Sequence, residues 1–400
     1  MPDHFTYAII GSGLAGVSAV EGIREVDSNG TILLIGREAE LPYDRPALSK
    51  SLWLGKKSIE EVFLHDRAFY ERHNTTLKQG FEATEVDVQN RAITVGSGES
   101  YTYEKLLFAS GGSPRRLQIP GADRSHLCYY RTLADYRLIR ERATGSAAAL
   151  IIGGGFIGSE MAAALRSNDC DVTMVFGGPY LVDRVFPEGL GRAIQQEYER
   201  RGITVLSGDV PTAFEQEGDR AIVHTRSGAE IQADLVIVGI GIAPETALAE
   251  SAGIEIDNGI VVDEYLRTSN SDLFAAGDNA RFPYQALGDL RRIEHWDNAL
   301  NQGKQAGRNM AGAMEAYRYM PYFFSDLFEF GYEAVGDVIS ELDVFADWRD
   351  EHKTGVLYYL GDGLVRGVML CNTWDKVDQA RELIRARTPA VEADLIGAIA

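Results

Sequence analysis

Two glycine clusters in this chain could do chemistry. Gly11-Ser-Gly-Leu-Ala-Gly16 follows the apolar run Tyr7-Ala-Ile-Ile, and Gly153-Gly-Gly-Phe-Ile-Gly158 follows Ala149-Leu-Ile-Ile. Both fit GxGxxG. The first glycine allows a tight turn, the second lets backbone amides approach a pyrophosphate, and the third lets helix and strand pack closely. The phosphates then sit at the positive end of a helix dipole. One such motif is weak, because glycine-rich turns are common. Here each copy lies in a strand–turn–helix–strand unit, with helix patterns over 17–26 and 159–167. The second strands are Thr31-Ile-Leu-Leu-Ile35 and Asp171-Val-Thr-Met-Val-Phe176. An internal repeat of this kind implies two dinucleotides, or one bound twice, and the usual reason for two is electron transfer from nicotinamide to flavin.

Other segments must position these motifs. Leu106-Leu-Phe-Ala-Ser-Gly-Gly-Ser-Pro-Arg115 and Leu235-Val-Ile-Val-Gly-Ile-Gly-Ile-Ala-Pro244 are apolar strands ending in Gly and Pro, which reads as crossovers between domains. Alternation at Ala92-Ile-Thr-Val and Tyr101-Thr-Tyr predicts a small antiparallel meander, and Arg220 to His224 alternates in the same way. Asp272-Leu-Phe-Ala-Ala-Gly-Asp278 precedes a predicted helix over 298–314. From about Tyr322 onwards, strands at 355–360 and 364–370 and a helix at 377–386 follow, with a tail from Thr388 expected to be loosely held. The fold class is therefore α/β, with two Rossmann-like domains and an α+β C-terminal domain. The expected boundaries are 1–110 with 243–321, then 111–242, then 322–400.

Composition narrows the function classes. The 400 residues carry 39 Lys+Arg against 59 Asp+Glu, a net charge of −20. Such a surface repels phosphate backbones, so nucleic acid is not an expected partner. No apolar run reaches the roughly 20 residues a bilayer span needs, and the first residues do not read as a signal peptide, so a cytoplasmic protein is expected. Cys128, Cys170 and Cys371 lie too far apart for a disulfide scaffold, a CxxC redox pair or a zinc ribbon. The histidines at 4, 65, 73, 126, 224, 295 and 352 form no HExxH or i, i+4 grouping, so no metal is expected.

With these residues in view, the chain resembles the flavoprotein pyridine-nucleotide reductases of the ferredoxin/rubredoxin-reductase type. The resemblance rests on the paired GxGxxG units, Leu41-Pro-Tyr-Asp-Arg-Pro-Ala-Leu-Ser-Lys50, Ala109-Ser-Gly-Gly-Ser-Pro-Arg115, Ala275-Ala-Gly-Asp278 and Glu294-His-Trp-Asp-Asn-Ala299. Gly153-Gly-Gly-Phe-Ile-Gly-Ser-Glu160, Arg291-Arg-Ile-Glu-His295 and Ser325-Asp-Leu are similar to apoptosis-inducing factor, a relative with the same plan.

The resemblance implies FAD in the first and third sequence blocks and NADH, or NADPH, in the middle one. Gly11, Gly13 and Gly16 would hold the FAD pyrophosphate and Glu38 the adenosine ribose. The family usually has two adjacent acids there, and this chain has Arg37 before Glu38. Asp278 would bind the ribityl chain, its competing reading being a helix N-cap. Arg45 and Lys50 are expected beside the flavin, with Glu294, His295 and Trp296 also near it. Gly153, Gly155, Gly158 and Gly241 are expected at the nicotinamide cofactor. Lys50 is the residue expected to tune the flavin, paired with Glu160; the competing reading puts Glu160 on a solvated helix face. Phe156 would stack on the flavin and move aside for nicotinamide, or else pack helix against sheet. Phe323-Phe324-Ser325-Asp326 stands where such reductases often have FWSD, so the aromatic at the electron exit is changed.

An acid after the second strand of a nucleotide unit accepts from a ribose 2′-hydroxyl, and an arginine pairs with a 2′-phosphate. This chain has Phe176-Gly-Gly-Pro-Tyr180, which is neither, while Asp183 and Arg184 a little later favour opposite cofactors. Function stays open between classes. One reading is an NAD(P)H oxidoreductase that passes a hydride to flavin N5 and electrons on to a small iron–sulfur protein such as a ferredoxin. Another is an NADH-responsive redox sensor with a stable flavin–nicotinamide charge-transfer complex and low turnover, and an NADH oxidase lies between them. The charge of −20 disfavours an acidic ferredoxin unless a local basic patch (Arg137, Arg140 and Arg142, or Arg291 and Arg292) compensates. A homodimer is compatible with the residues, which leave the oligomeric state open.

Overall fold

In a computed structural model describing residues 2–123 and 127–399, the chain divides into two compact units. His126 lies outside the described residues. The first unit comprises Met1–Asp44, Ile59–Ser113 and Ala243–Tyr322, and the second Arg45–Ser58, Pro114–Ile242 and Phe323–Ala400.

The first unit is built on a sheet with strand order 75–79, 32–36, 3–10, 100–108, 92–95, 83–87. Ile32–Gly36 and the Tyr7–Ile10 half of the strand Asp3–Ile10 are apolar and buried, because parallel strands are covered on both faces, while Asp3 and His4 at the start of that strand are exposed. The meander strand Tyr101-Thr-Tyr and the crossover strand at Leu106 are one strand, Ser100–Phe108. Residues 100–102 pair antiparallel with the meander, while Leu106–Phe108 take the strand Leu273–Ala275 in parallel along the same edge. A single strand thus changes partner halfway along its length.

Helix Leu14–Val26 packs tightly on helix Trp296–Met310. Cβ atoms at Gly22, Gly303 or Gly307 would collide with the opposing backbone, so glycine is required at this contact. The later helix begins at Trp296 rather than 298 and stops at Met310 rather than 314, because Gly312 just beyond it turns with φ +101.

The second unit contains a parallel sheet in the order 204–207, 171–176, 148–152, 235–238, 127–129. Beside it are a three-stranded antiparallel sheet, 211–217, 220–225 and 230–233, and a five-stranded sheet, 322–327, 330–336, 364–371, 354–361 and 343–350. The helix Val377–Ala386 covers the last of these. Arg45–Ser58, expected in the first domain, makes its contacts here. Trp53 Nε1 donates to Tyr130 Oη at 3.1 Å, Tyr130 Oη donates to the Leu48 carbonyl at 2.5 Å, and Asn168 Nδ2 donates to the Trp53 carbonyl at 3.1 Å.

The tail is tied down rather than loose. Leu395 and Ile399 are buried, and the Gly397 amide donates to Asp347 Oδ2 at 2.8 Å. All three cysteines are buried, and burial pushes the Cys128 thiol up to about 12 and the other two upward as well. Among the described residues no helix is long and apolar enough to cross a membrane, and no group of three His, Cys, Asp or Glu could hold a metal.

Candidate functional site

The two glycine motifs fold alike at their first and third glycines. Gly11 and Gly153 adopt φ +113 and +117, which glycine reaches without penalty. Their amides donate to the carbonyls of Ile35 and Val175, at 2.8 and 2.9 Å. A Cβ on Gly16 would strike the Gly11 carbonyl, and one on Gly158 the Gly153 carbonyl, so each helix packs directly on its turn. The middle glycines differ from these. A Cβ at Gly13 or Gly155 would meet nothing within 4 Å. Both are N-cap residues without a side-chain cap, so the first amides of helices Leu14–Val26 and Phe156–Arg166 face that open space. Each is a cradle that fits a pyrophosphate and that a side chain would fill.

Around the first cradle, Glu38 is half-buried and accepts from Tyr43 Oη at 2.5 Å. Arg37 is exposed and reaches Glu245 Oε1 at 3.4 Å. Asp278 heads no helix: the strand Ala280–Tyr284 follows it, so the N-cap alternative does not arise. Its carbonyl accepts from Arg292 Nη1 at 2.9 Å. Glu294 pairs with the same Arg292 guanidinium at 2.5 Å. His295, the N-cap residue of the helix Trp296–Met310, is pushed down to about 4 by burial, so its imidazole stays neutral near pH 7. Trp296 donates through Nε1 to Asp44 Oδ1 at 2.8 Å.

In the second unit the structure brings Lys50 and Glu160 together, with Nζ 2.5 Å from Oε1 and side chains 17% and 4% exposed. Glu160 sits one turn into its helix with its carboxylate turned inward. Ser49 Oγ donates to its Oε2 at 2.5 Å, and Ser325 Oγ to its Oε1 at 2.5 Å. Three donors from two distant segments therefore converge on one carboxylate, as a buried charge requires. Lys50 also lies over the Phe324 ring, 5.7 Å from its centroid. Burial, reinforced by the Glu160 charge, holds the Tyr198 and Tyr332 hydroxyls well above their usual range. Phe156 is half-buried against Phe323, with ring centroids 5.6 Å apart. Gly241 adopts φ +93 and its carbonyl accepts from the Arg115 amide at 2.9 Å. Arg45 Nη1 donates to the Arg131 carbonyl at 2.9 Å.

Sequence reasoning missed the two serines, although both lie inside segments it had singled out, LSK and FFSD. A hydroxyl beside a candidate ion pair was the available signal. It also missed Tyr43 and Asp44, which orient Glu38 and Trp296.

Comparison with known proteins gives a consistent result. Residues 5–303 match the family described as pyridine nucleotide-disulphide oxidoreductase. The anthranilate 1,2-dioxygenase system ferredoxin–NAD(+) reductase component of Burkholderia cepacia is 35% identical over 82% of this chain and 81% of its own. Mitochondrial apoptosis-inducing factor 1 of Dictyostelium discoideum is 33% identical over 96% of this chain and 79% of its own. Among solved structures, the reductase in the covalent putidaredoxin reductase–putidaredoxin complex superposes with TM-score 0.91 at 31% identity, covering 98% of this chain and 95% of that one.

Proposed function

Because the chain belongs to the pyridine nucleotide-disulphide oxidoreductase family and is an FAD-dependent NAD(P)H oxidoreductase, we propose that it reduces a small iron–sulfur protein. The observation carrying this reading is the pair of uncapped glycine cradles with the same local geometry, one for each dinucleotide. FAD accepts a hydride from nicotinamide and can release electrons one at a time, which suits a one-electron acceptor.

The protein's part is to bind and to tune. Gly11, Gly13 and Gly16 take the FAD pyrophosphate, Glu38 the adenosine ribose and Asp278 the ribityl chain. Glu294, His295 and Trp296 line the flavin, with Arg45. Gly153, Gly155, Gly158 and Gly241 take the nicotinamide dinucleotide, and Phe156 guards it. Lys50 supplies the positive charge that favours reduced flavin, and Glu160 holds the Lys50 ammonium in place. In this reading, residues 1–110 with 243–321 act as the FAD domain, 111–242 as the NAD(P)H domain and 322–400 as the C-terminal domain.

An acidic protein needs a basic landing place for an acidic partner. Of the two arginine groups, Arg291 is neutralised by Asp289 and Arg292 by Glu294. The helix Leu133–Arg142 also exposes Arg137, Arg140 and Arg142, and Arg140 keeps its charge beside the uncharged Asn168 Oδ1 and Trp53 ring, which favours that helix as the docking face.

The test is stopped-flow: reduce the protein anaerobically with NADH, then mix with ferredoxin, cytochrome c or oxygen. Rapid reoxidation by ferredoxin is expected. A long-wavelength absorbance band that persists in air, with no reoxidation by ferredoxin, would overturn the reading in favour of a redox sensor.

A further inference from the structure

The two nucleotide units can be aligned without reference to any other protein. Ile35 pairs with Ile10 just before Gly11, and Val175 pairs with Ile152 just before Gly153. Position 36 thus corresponds to 176, and 38 to 178. Hydrogen bonds leaving the third strand of each unit agree: the Phe81 and Gly80 amides donate to the carbonyls of Gly36 and Glu38, at 3.0 and 2.9 Å. The Asp209 and Gly208 amides donate to those of Phe176 and Gly178, at 3.1 and 2.8 Å. The residue in the ribose-acid position of the second unit is therefore Gly178, which has no side chain.

The missing carboxylate is present from elsewhere. A Cβ built on Gly178 would fall on the carboxylate of Asp183, with Cγ 2.7 Å away, so Asp183 occupies the space where a residue-178 side chain would begin. Gly178 is outside the left-handed region, so its backbone imposes no glycine, and the three atoms nearest a side chain there all belong to the Asp183 carboxylate. Among the described residues no hydrogen bond or ion pair takes up the Asp183 carboxylate, which is half-exposed.

The turn that delivers it is strained and pinned. Val182 is β-branched yet adopts φ +57, a conformation such residues avoid unless their surroundings impose it. Its amide donates to the Gly154 carbonyl within the glycine motif at 2.8 Å. Ser340 fixes the next two residues, Oγ donating to the Asp183 carbonyl at 2.5 Å and its amide to the Arg184 carbonyl at 3.0 Å. Arg184 itself is exposed.

We propose that Asp183, carried back over Gly178 by the left-handed turn at Val182, is the ribose-binding acid of the second nucleotide site and selects NADH over NADPH. A carboxylate there accepts from the adenosine ribose hydroxyls and repels a 2′-phosphate. This rests on the assignment of the second glycine motif to the nicotinamide cofactor.

The test compares steady-state kinetics with NADH and NADPH for the wild type, Asp183→Asn and the transplant Gly178→Glu with Asp183→Gly, all in the FAD-loaded enzyme. Binding of ADP-ribose and its 2′-phosphate serves as a readout independent of turnover. The wild type should favour NADH by tenfold or more. Asp183→Asn should raise KM for NADH, and weaken ADP-ribose, on the order of tenfold while kcat holds, since a charge-assisted hydrogen bond is lost. The transplant should recover NADH affinity, which a merely structural role for Asp183 would not allow. The proposal is overturned if Asp183→Asn stays within twofold of wild type, if the transplant recovers nothing while folded and FAD-loaded, or if the wild type prefers NADPH through Arg184. If NADH does not reduce the wild-type flavin at all, the nicotinamide assignment falls and the proposal with it.

Discussion

Replacing Glu160 by alanine tests the buried charge cluster most directly. The carboxylate takes Lys50 Nζ and the hydroxyls of Ser49 and Ser325, each at 2.5 Å, and all of these groups are largely buried. Glu160→Ala removes the counter-charge and leaves an ammonium with a 17%-exposed side chain and two hydroxyls without their acceptor. Breaking one partner of a buried pair costs about 3–5 kcal/mol. At roughly 2–4 °C per kcal/mol for a unit of this size, the melting temperature should fall by roughly 6–20 °C. Removing both charges is cheaper, because desolvation offsets most of their attraction. Lys50→Met with Glu160→Leu should lie within about 2 kcal/mol of wild type. Thermal melting followed by far-UV circular dichroism, in saturating FAD because a bound ligand raises apparent stability, measures both. A Glu160→Ala protein melting within 2 °C of wild type, or a double variant as unstable as the sum of the singles, would refute the reasoning.

The glycine cradles separate the two cofactors. Gly13→Val should fold but lose FAD on gel filtration, whereas Gly155→Val should keep FAD and lose its reduction by NADH, because both new side chains enter open space. For His295, the folded state binds a proton only below about 4, against about 6.5 unfolded. As pH falls from 6.5 to 4 the unfolded state therefore takes up more protons, and up to about 3 kcal/mol of stability is lost in that window. Urea titrations across it should show a flatter decline for His295→Asn. Leu395→Ala should cost about 2–5 kcal/mol in the same assay if the tail is docked, and nothing measurable if it is loose.

Much of this was legible in the sequence because local constraints repeat. The GxGxxG spacing fixes turn, cradle and helix contact within six residues, and apolar runs mark the parallel strands on either side. What escaped depends on approaches between distant segments. Helix Trp296–Met310 seats Gly303 and Gly307 directly on the backbone of another helix, which periodicity does not encode. Ser325 meets Glu160 across 165 residues of chain. Asp183 could be noticed as an acid but not placed, since its position depends on a left-handed valine that no propensity favours. The tail looked loose because Leu395 and Ile399 are too sparse to form a pattern, although each finds a buried seat.

The burial of Cys128, Cys170 and Cys371 bears on endurance in air. Electron carriers that meet dioxygen leak peroxide, and peroxide attacks thiolates far faster than thiols. With every cysteine 5% exposed or less and burial raising its thiol pKa, the chain offers peroxide no exposed thiolate. Thiol reagents should therefore register the native protein as cysteine-free until it unfolds.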